Sequence, residues 1–499
     1  MSLDGRVKVK HHARERDAVR GTCSRSHHGQ AIDEPVARCS ARSADRSLEF
    51  ADDMVATHRA IEALHGSTRR GGGCYLGTGD GGWVFSGALR STLVLGPTRS
   101  GKTTSLLIPN VVGAPGAVVA TSTKLDLLDP TRSARALVGE VMVFDPSGTV
   151  ALPRGVRRIG WSPLDGAAAW SEATVIAAGM VGASRGGAEA SRQDHWHERA
   201  EALLATLLHA AGTGERSMHD LVEWVDRRVG DEALSHLERD GSPRAAALLD
   251  GILATEAREQ SGIWSTTSGI LQAYRTEPAL ASTSGPRLDA RHFAASQDSL
   301  YLCAPGRQQA MFAPLLVGLL GSVRDGTYQR ASEGGGFDPV LLALDELANI
   351  APLPDLPQIV SEGAGQGLLT LACLQDLSQA RRRWGPEADA FLSLFPVTVV
   401  LPGIADLRTL QAMSSLIGDR AISLPQASRG RTRWTTTTSH STSTGFRPHR
   451  DVAQLSRGAA GRALVLGPTK AATEVTLTPS FRDPHWRALL TPEDRHRER

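Results

Sequence analysis

The sequence predicts an α/β fold, a parallel-rich sheet interrupted by an inserted all-helical domain, and three observations carry that prediction. Short, nearly continuous apolar runs alternate with segments of helical spacing, the pattern of a parallel sheet covered on both faces. Between about 161 and 295 the helical spacing continues with almost no strand signal. The run Gly96-Pro-Thr-Arg-Ser-Gly101-Lys102-Thr103 joins a buried strand to a helix, where a phosphate-holding loop belongs.

Taken in order, residues 1–70 read as an N-terminal arm, partly disordered, because positions 1 to about 45 mix Arg, His, Ser and Asp without a hydrophobic period. The pairs His11-His12 and His27-His28 have no fixed third ligand nearby and read as solvated rather than metal-binding. Leu48 to Leu64 turns helical, and Gly71-Gly-Gly opens the core. The N-terminus lacks the apolar segment of a signal peptide. No run reaches the ~18 apolar residues of a membrane-spanning helix; the best, Met311 to Val323, is interrupted by Pro314 and Gly318.

Residues 71–160 and 296–480 form the nucleotide-binding domain. Its strands are read at Thr92–Leu95, Ala117–Ala120, Val141–Phe144, Leu300–Cys303, Val340–Leu344, Leu368–Leu374, Val397–Leu401 and Ala463–Leu466. The insertion, 161–295, puts Trp196, Ala200, Leu203, Leu204 and Leu207 on one helical stripe, most simply a buried face, with His195 and His197 flanking it at the surface. The Ser/Thr-rich tract 428–445 has no core pattern and is expected as a mobile loop, and 481–499 as a polar tail.

Composition excludes several classes. With 41% hydrophobic and 22% charged residues the chain is globular, and at 499 residues it is long enough for two or three folding units. Five scattered cysteines, Cys23, Cys39, Cys74, Cys303 and Cys373, never in a CxxC spacing, argue against a disulfide framework or a zinc site and favour a reducing compartment. A net charge of +2 gives no global basic field, so any nucleic-acid contact must come from a local groove or a ring of subunits.

The chemistry sits in two motifs. In the first, Gly96 and Gly101 let the loop curl around Pro97 so that backbone N–H groups from Thr98, Arg99 and Ser100 onward surround phosphates, helped by the N-terminus of the following helix, which Pro109 should end or kink. Proline itself contributes no donor there. Lys102 reaches the β and γ phosphates, Thr103 ligates Mg2+, and Thr104 continues the site. In the second, the apolar run Val340–Leu344 ends in Asp345-Glu346, with Asp345 read as holding Mg2+ through water and Glu346 as polarising the attacking water. An acidic pair after a strand can also be a helix N-cap. The next strand ends in Gln375, placed to contact the γ-phosphate and report its loss, or simply to begin a loop. Arg381-Arg382-Arg383 either face DNA or a neighbour's nucleotide, or end a helix in solvent. Ser122-Thr-Lys124-Leu-Asp126 lies on the same edge as the phosphate loop, as a nucleotide or DNA contact or as a helix cap.

The order GPTRSGKT, TSTKLDLL, VFDPSG, a helical insertion, LLALDELANI, a strand ending in Gln375 and VVLPGIADLRTLQAMSSLIGD resembles the type IV secretion coupling proteins of the TraG/TraD family, over roughly residues 75 to 480. The resemblance implies a RecA-like P-loop NTPase core with an inserted all-α domain, using ATP and Mg2+. It further implies a homo-hexamer at the cytoplasmic face of the cell membrane that moves single-stranded DNA with its relaxase into a type IV secretion channel. Lys102, Thr103, Asp345, Glu346 and Gln375 fall on the family's nucleotide-site positions, and the helical insertion on the part that meets the relaxosome. Two departures stand out. Family members usually begin with membrane-spanning helices, so the chain is expected to be truncated, to begin at a different start, or to use a separate membrane-anchor protein. Many relatives also carry an Arg where this chain reads SEGAGQGLL, which leaves the trans-acting arginine unassigned.

The other function classes are a double-stranded DNA pump of the FtsK type, a protein-secretion ATPase, and a non-catalytic adaptor recruiting substrates through the helical domain. The insertion and the Ser122–Asp126 segment favour the coupling-protein class, and intact Lys102, Asp345 and Glu346 speak against the adaptor.

Overall fold

Leu, Val and Ala fill the central strands because both faces of the sheet are covered. Every residue is buried in β3 (Thr92–Leu95), β4 (Val118–Ser122), β5 (Val141–Phe144), β7 (Ser299–Cys303), β8 (Val340–Leu344), β9 (Leu368–Leu374) and β10 (Val397–Val400). The computed structural model describes residues 52–63, 73–123, 125–185, 190–334, 338–431, 436–468 and 472–490. The His11-His12 and His27-His28 pairs, Cys23, Cys39, Lys124 and residues 491–499 lie outside them, while Cys74, Cys303 and Cys373 are buried and take part in no disulfide.

The remaining strands are β1 (Tyr75–Gly79), β2 (Gly82–Phe85), β6 (Val156–Arg158), β11 (Asp419–Arg431), β12 (Thr436–Pro448), β13 (Arg462–Leu466) and β14 (Ala472–Thr476). Among the described residues twelve strands make one sheet in the order β2-β1-β14-β13-β10-β3-β9-β8-β4-β7-β5-β6. From β10 to β6 every neighbour is parallel. Beyond β10 the pairings of β13, β14, β1 and β2 are antiparallel. The run at Ala463–Leu466, read with the parallel strands, is therefore antiparallel. Its partly exposed residues suit a sheet with one wet face.

The outer edge explains the C-terminus. Residues Pro484–Leu489 form a helix capped by Asp483, whose Oδ1 accepts from the His485 and Trp486 N–H groups. Trp486 is buried, stacked on Trp83 of β2 at 4.7 Å and edge-on to Tyr75 of β1 at 5.2 Å. The part of the expected polar tail that the structure describes is thus a clasp over the sheet edge.

Helices Trp170–Ser184, Ala190–Thr213, Met218–Arg227, Asp231–Asp240, Pro243–Leu253 and Ala257–Ile270 follow β6. Ala200, Leu203, Leu204 and Leu207 are fully buried on their stripe. The apolar run Met311–Val323 belongs to helix Gln309–Ser332, where a side chain on Gly318 would come within 2.3 Å of the Trp161 ring. It is a core helix, and among the described residues no helix is long and apolar enough to cross a membrane. The buried core runs without a break from Leu93 and Leu342 through Phe312 and Leu316 to Ala173, Leu203 and Trp264.

The tract 428–445, expected as a mobile loop, instead falls largely on a two-stranded ribbon. β11 and β12 pair from Asp419↔Pro448 to Arg431↔Thr436. Threonine is polar but β-branched, and the strand preference wins where composition suggests a loop.

Candidate nucleotide site

Strand β3 delivers Gly96, whose N–H donates to the Leu374 carbonyl of β9 at 3.1 Å. A Cβ on Gly96 would stand 2.8 Å from Leu401 Cβ, and Gly101 has φ +93°, so both glycines are required by the turn. Arg99 takes φ +62° without being glycine. The helix after Lys102 starts as a π-wound turn, Thr103–Leu107, and runs on as α-helix Ile108–Val112. Pro109 sits where the winding changes, and the helix ends at Gly113 rather than at the proline.

Lys102 folds back over the loop, its Nζ donating to the carbonyls of Gly96 at 2.6 Å and Pro97 at 2.8 Å. These acceptors hold the ammonium beside the turn. Thr103 Oγ1 donates to Asp345 Oδ2 at 3.0 Å across 242 residues of sequence. The other carboxylate oxygen of Asp345 accepts from the Glu346 N–H at 3.0 Å, and Thr121 of β4 donates to the Asp345 carbonyl at 2.8 Å. Strand β9 lies between β3 and β8, so Gln375 at its tip falls between the phosphate loop and the acidic pair. The Gln375 N–H donates to Gln379 Oε1 at 3.0 Å.

These groups line a cleft of about 240 Å³ that holds Thr98 to Thr104, Asp345, Glu346 and Gln375 together, with Thr123 and Asp126 on its wall. Burial pushes the Asp345 carboxyl above its ordinary range and neighbouring Glu346 adds to this, while the Thr103 hydrogen bond and the Lys102 charge pull the other way. Glu346 is itself left-handed, φ 48° and ψ 43°. Two hard oxygen donors, the Thr103 hydroxyl and the Asp345 carboxylate, stand in the same cleft as the Lys102 ammonium, a set that suits Mg2+ together with phosphate. Sequence reasoning missed Thr121, whose partner Asp345 only the strand order brings near, and Gln379, whose partner is the local Gln375 N–H four residues back.

The arginine triplet is not gathered into this cleft. Arg381 pairs with Asp406 and Asp389, Arg383 donates to the carbonyls of Gly182, Ala183 and Arg185 at the end of helix Trp170–Ser184, and Arg382 is exposed. His195 is exposed and His197 half-buried, and among the described residues no cluster of three or more His, Cys, Asp and Glu could hold a metal.

A family model described as type IV secretory system conjugative DNA transfer matches residues 46–448. No curated protein matches the chain. Among solved structures, the unbound bacterial conjugative coupling protein TrwBdeltaN70 is similar at TM-score 0.62 and 19% identity, over 83% of this chain and 90% of that one. TrwB in complex with ADP and Mg2+ is similar at TM-score 0.59 and 19% identity, over 80% and 88%. TrwB with a non-hydrolysable GTP analogue is similar at TM-score 0.60 and 19% identity, also over 80% and 88%. At such identity the likeness is one of fold, an α/β fold with a mostly parallel sheet.

Proposed function

Because the chain belongs to the type IV secretory system conjugative DNA-transfer family, we propose that it is an ATP-hydrolysing motor that couples single-stranded DNA and its relaxase to a secretion channel. The observation that carries the enzymatic part is the Thr103–Asp345 hydrogen bond, which sets a hydroxyl and a carboxylate at the head of the loop that Lys102 closes. Complexes of TrwB with ADP and Mg2+ support the choice of ligands.

In this reading Lys102 leaves the Gly96 and Pro97 carbonyls for the β and γ phosphates, while the backbone from Gly96 to Thr104 cradles them. Mg2+, when bound, neutralises charge developing on the phosphate oxygens. Thr103 and Asp345 are the residues that would hold it. Glu346 accepts the proton of the attacking water, and Gln375 contacts the γ-phosphate and registers its loss. Residues 71–160 with 296–480 are the motor, and 161–295 the part that meets the relaxase-bearing substrate. A homo-hexamer peripheral to the inner face of the cell membrane, held by a separate anchor protein or by channel components, completes the proposal.

The test is ATP binding and turnover by the purified chain with and without single-stranded DNA. Lys102→Ala is expected to lower turnover by ~100-fold or more. Glu346→Gln is expected to bind ATP like wild type and to turn it over ~100- to 10,000-fold more slowly. Wild-type turnover in Glu346→Gln sinks the base assignment, and a rate indifferent to DNA in every form sinks the motor.

A further inference from the structure

Strands β11 and β12 form a ribbon of 13 residues each, roughly 40 Å long at the usual rise per residue. Among the described residues they pair only with each other. Over 419–426 and 440–448, where burial is described, no residue is buried, and Leu424 and Phe446 are 39% and 72% exposed. A free two-stranded ribbon is marginal in water, and both of its outer edges present unpaired backbone groups. Such an element calls for a partner.

Its charge says which kind. The two strands carry Arg420, Arg429, Arg431 and Arg447 against the single acid Asp419. Register sets Arg420 directly opposite Arg447, both are exposed, and among the described residues neither meets a carboxylate. Like charges directly opposed across a ribbon destabilise it unless an anion lies between them. Much of the rest is Ser and Thr, whose hydroxyls donate to phosphate oxygens. Phe446 adjoins Arg447 on the opposite face, so a chain following the β12 edge meets a cation on one side and an open aromatic ring on the other. Arg457 and Arg462, beyond Pro448, line a cleft of about 490 Å³, whose wall also holds Asp451 and the Arg450–Glu474 ion pair.

We propose that this ribbon is a binding surface for single-stranded DNA, with Arg420 and Arg447 on backbone phosphates and Phe446 against a base. The inference rests on the reading of DNA as cargo and assigns that cargo a surface apart from the nucleotide cleft. An acidic face of a second copy would satisfy the arginines too, but a ring exposed as fully as Phe446 beside a phosphate-type site favours a nucleic acid whose bases are unstacked.

The experiment is the affinity of the full chain for fluorescent oligo-dT and for a duplex across a salt series, with fluorescent ADP binding and sedimentation as companions. Arg420→Gln with Arg447→Gln should flatten the slope of log affinity against log salt by about 1.4 for two lost phosphate contacts on a single strand. Phe446→Ala should weaken oligo-dT binding roughly 5- to 150-fold. Neither should change ADP affinity. Wild-type slope and affinity in both variants overturn the ribbon and leave the cargo reading standing. A loss confined to duplex overturns the single-strand assignment, and a changed sedimentation with unchanged slope makes the ribbon a contact between copies. Failure of wild type to bind any DNA overturns the cargo reading and the ribbon with it.

Discussion

Asp345 is kept where its own charge is disfavoured, by burial first and by Glu346 second. A carboxyl whose pKa is raised on folding is no burden while protonated. Its cost enters as pH rises through the carboxylate range and is complete above the folded-state pKa. At neutral pH the nucleotide-free chain therefore carries this cost, and a cation bound beside the carboxylate, as proposed, would relieve it. Asp345→Asn should raise the melting temperature of the nucleotide-free protein at neutral pH, with a gain that shrinks on acidification, and should remove the further stabilisation that Mg2+ adds to ADP. Thermal melts over a pH series, with and without Mg2+ and ADP, check both halves. A melting temperature that falls at neutral pH contradicts the assignment of burial as the dominant cause. Arg99 and Glu346, left-handed without being glycine, line the same cleft, the kind of backbone cost that persists where a site demands it.

At the scale of elements, legibility followed how local the cause was. Seven of the eight strands read from apolar runs lie where burial leaves no choice of side chain, β13 being partly exposed, and the phosphate loop could be read because eight consecutive residues specify it. Strands β1, β2, β6 and β14 were not legible. They are short and carry half-exposed residues, and β2 and β6 are the two edges of the sheet, so no continuous apolar run marks them. The ribbon was hidden by Thr, which reads as loop by polarity and as strand by branching. The C-terminal clasp had a local signal, Asp483-Pro484 as cap and first turn, but the Trp83 stack that makes Trp486 structural is long-range. Trp486→Ala should therefore cost roughly 3 kcal/mol or more locally. Hydrogen exchange should show faster opening of β1 and β2 while β3, β8 and β9 keep their protection. Uniform acceleration over all strands would mean that the clasp holds the whole sheet rather than its edge.

At the scale of the molecule, the helical insertion read from sequence as a separate unit shares its core with the sheet. Helix Gln309–Ser332 is the shared element, buried along most of its length, with Gly318 against Trp161 and its neighbours packed toward helix Trp170–Ser184. The same helix leads into β8, whose tip carries Asp345 and Glu346. Packed side chains, which deform less readily than a linker, thus connect the helices to the strand that carries the acidic pair. Two domains joined by linkers would melt separately, whereas one continuous core melts as one. Calorimetry of the nucleotide-free chain should give a single transition with calorimetric and van't Hoff enthalpies in agreement, and Gly318→Leu, which drives a side chain into the Trp161 ring, should lower that transition without splitting it. Two resolved transitions would show that the helices unfold on their own, and the path from the helices to Glu346 would then have to run through something other than the shared core.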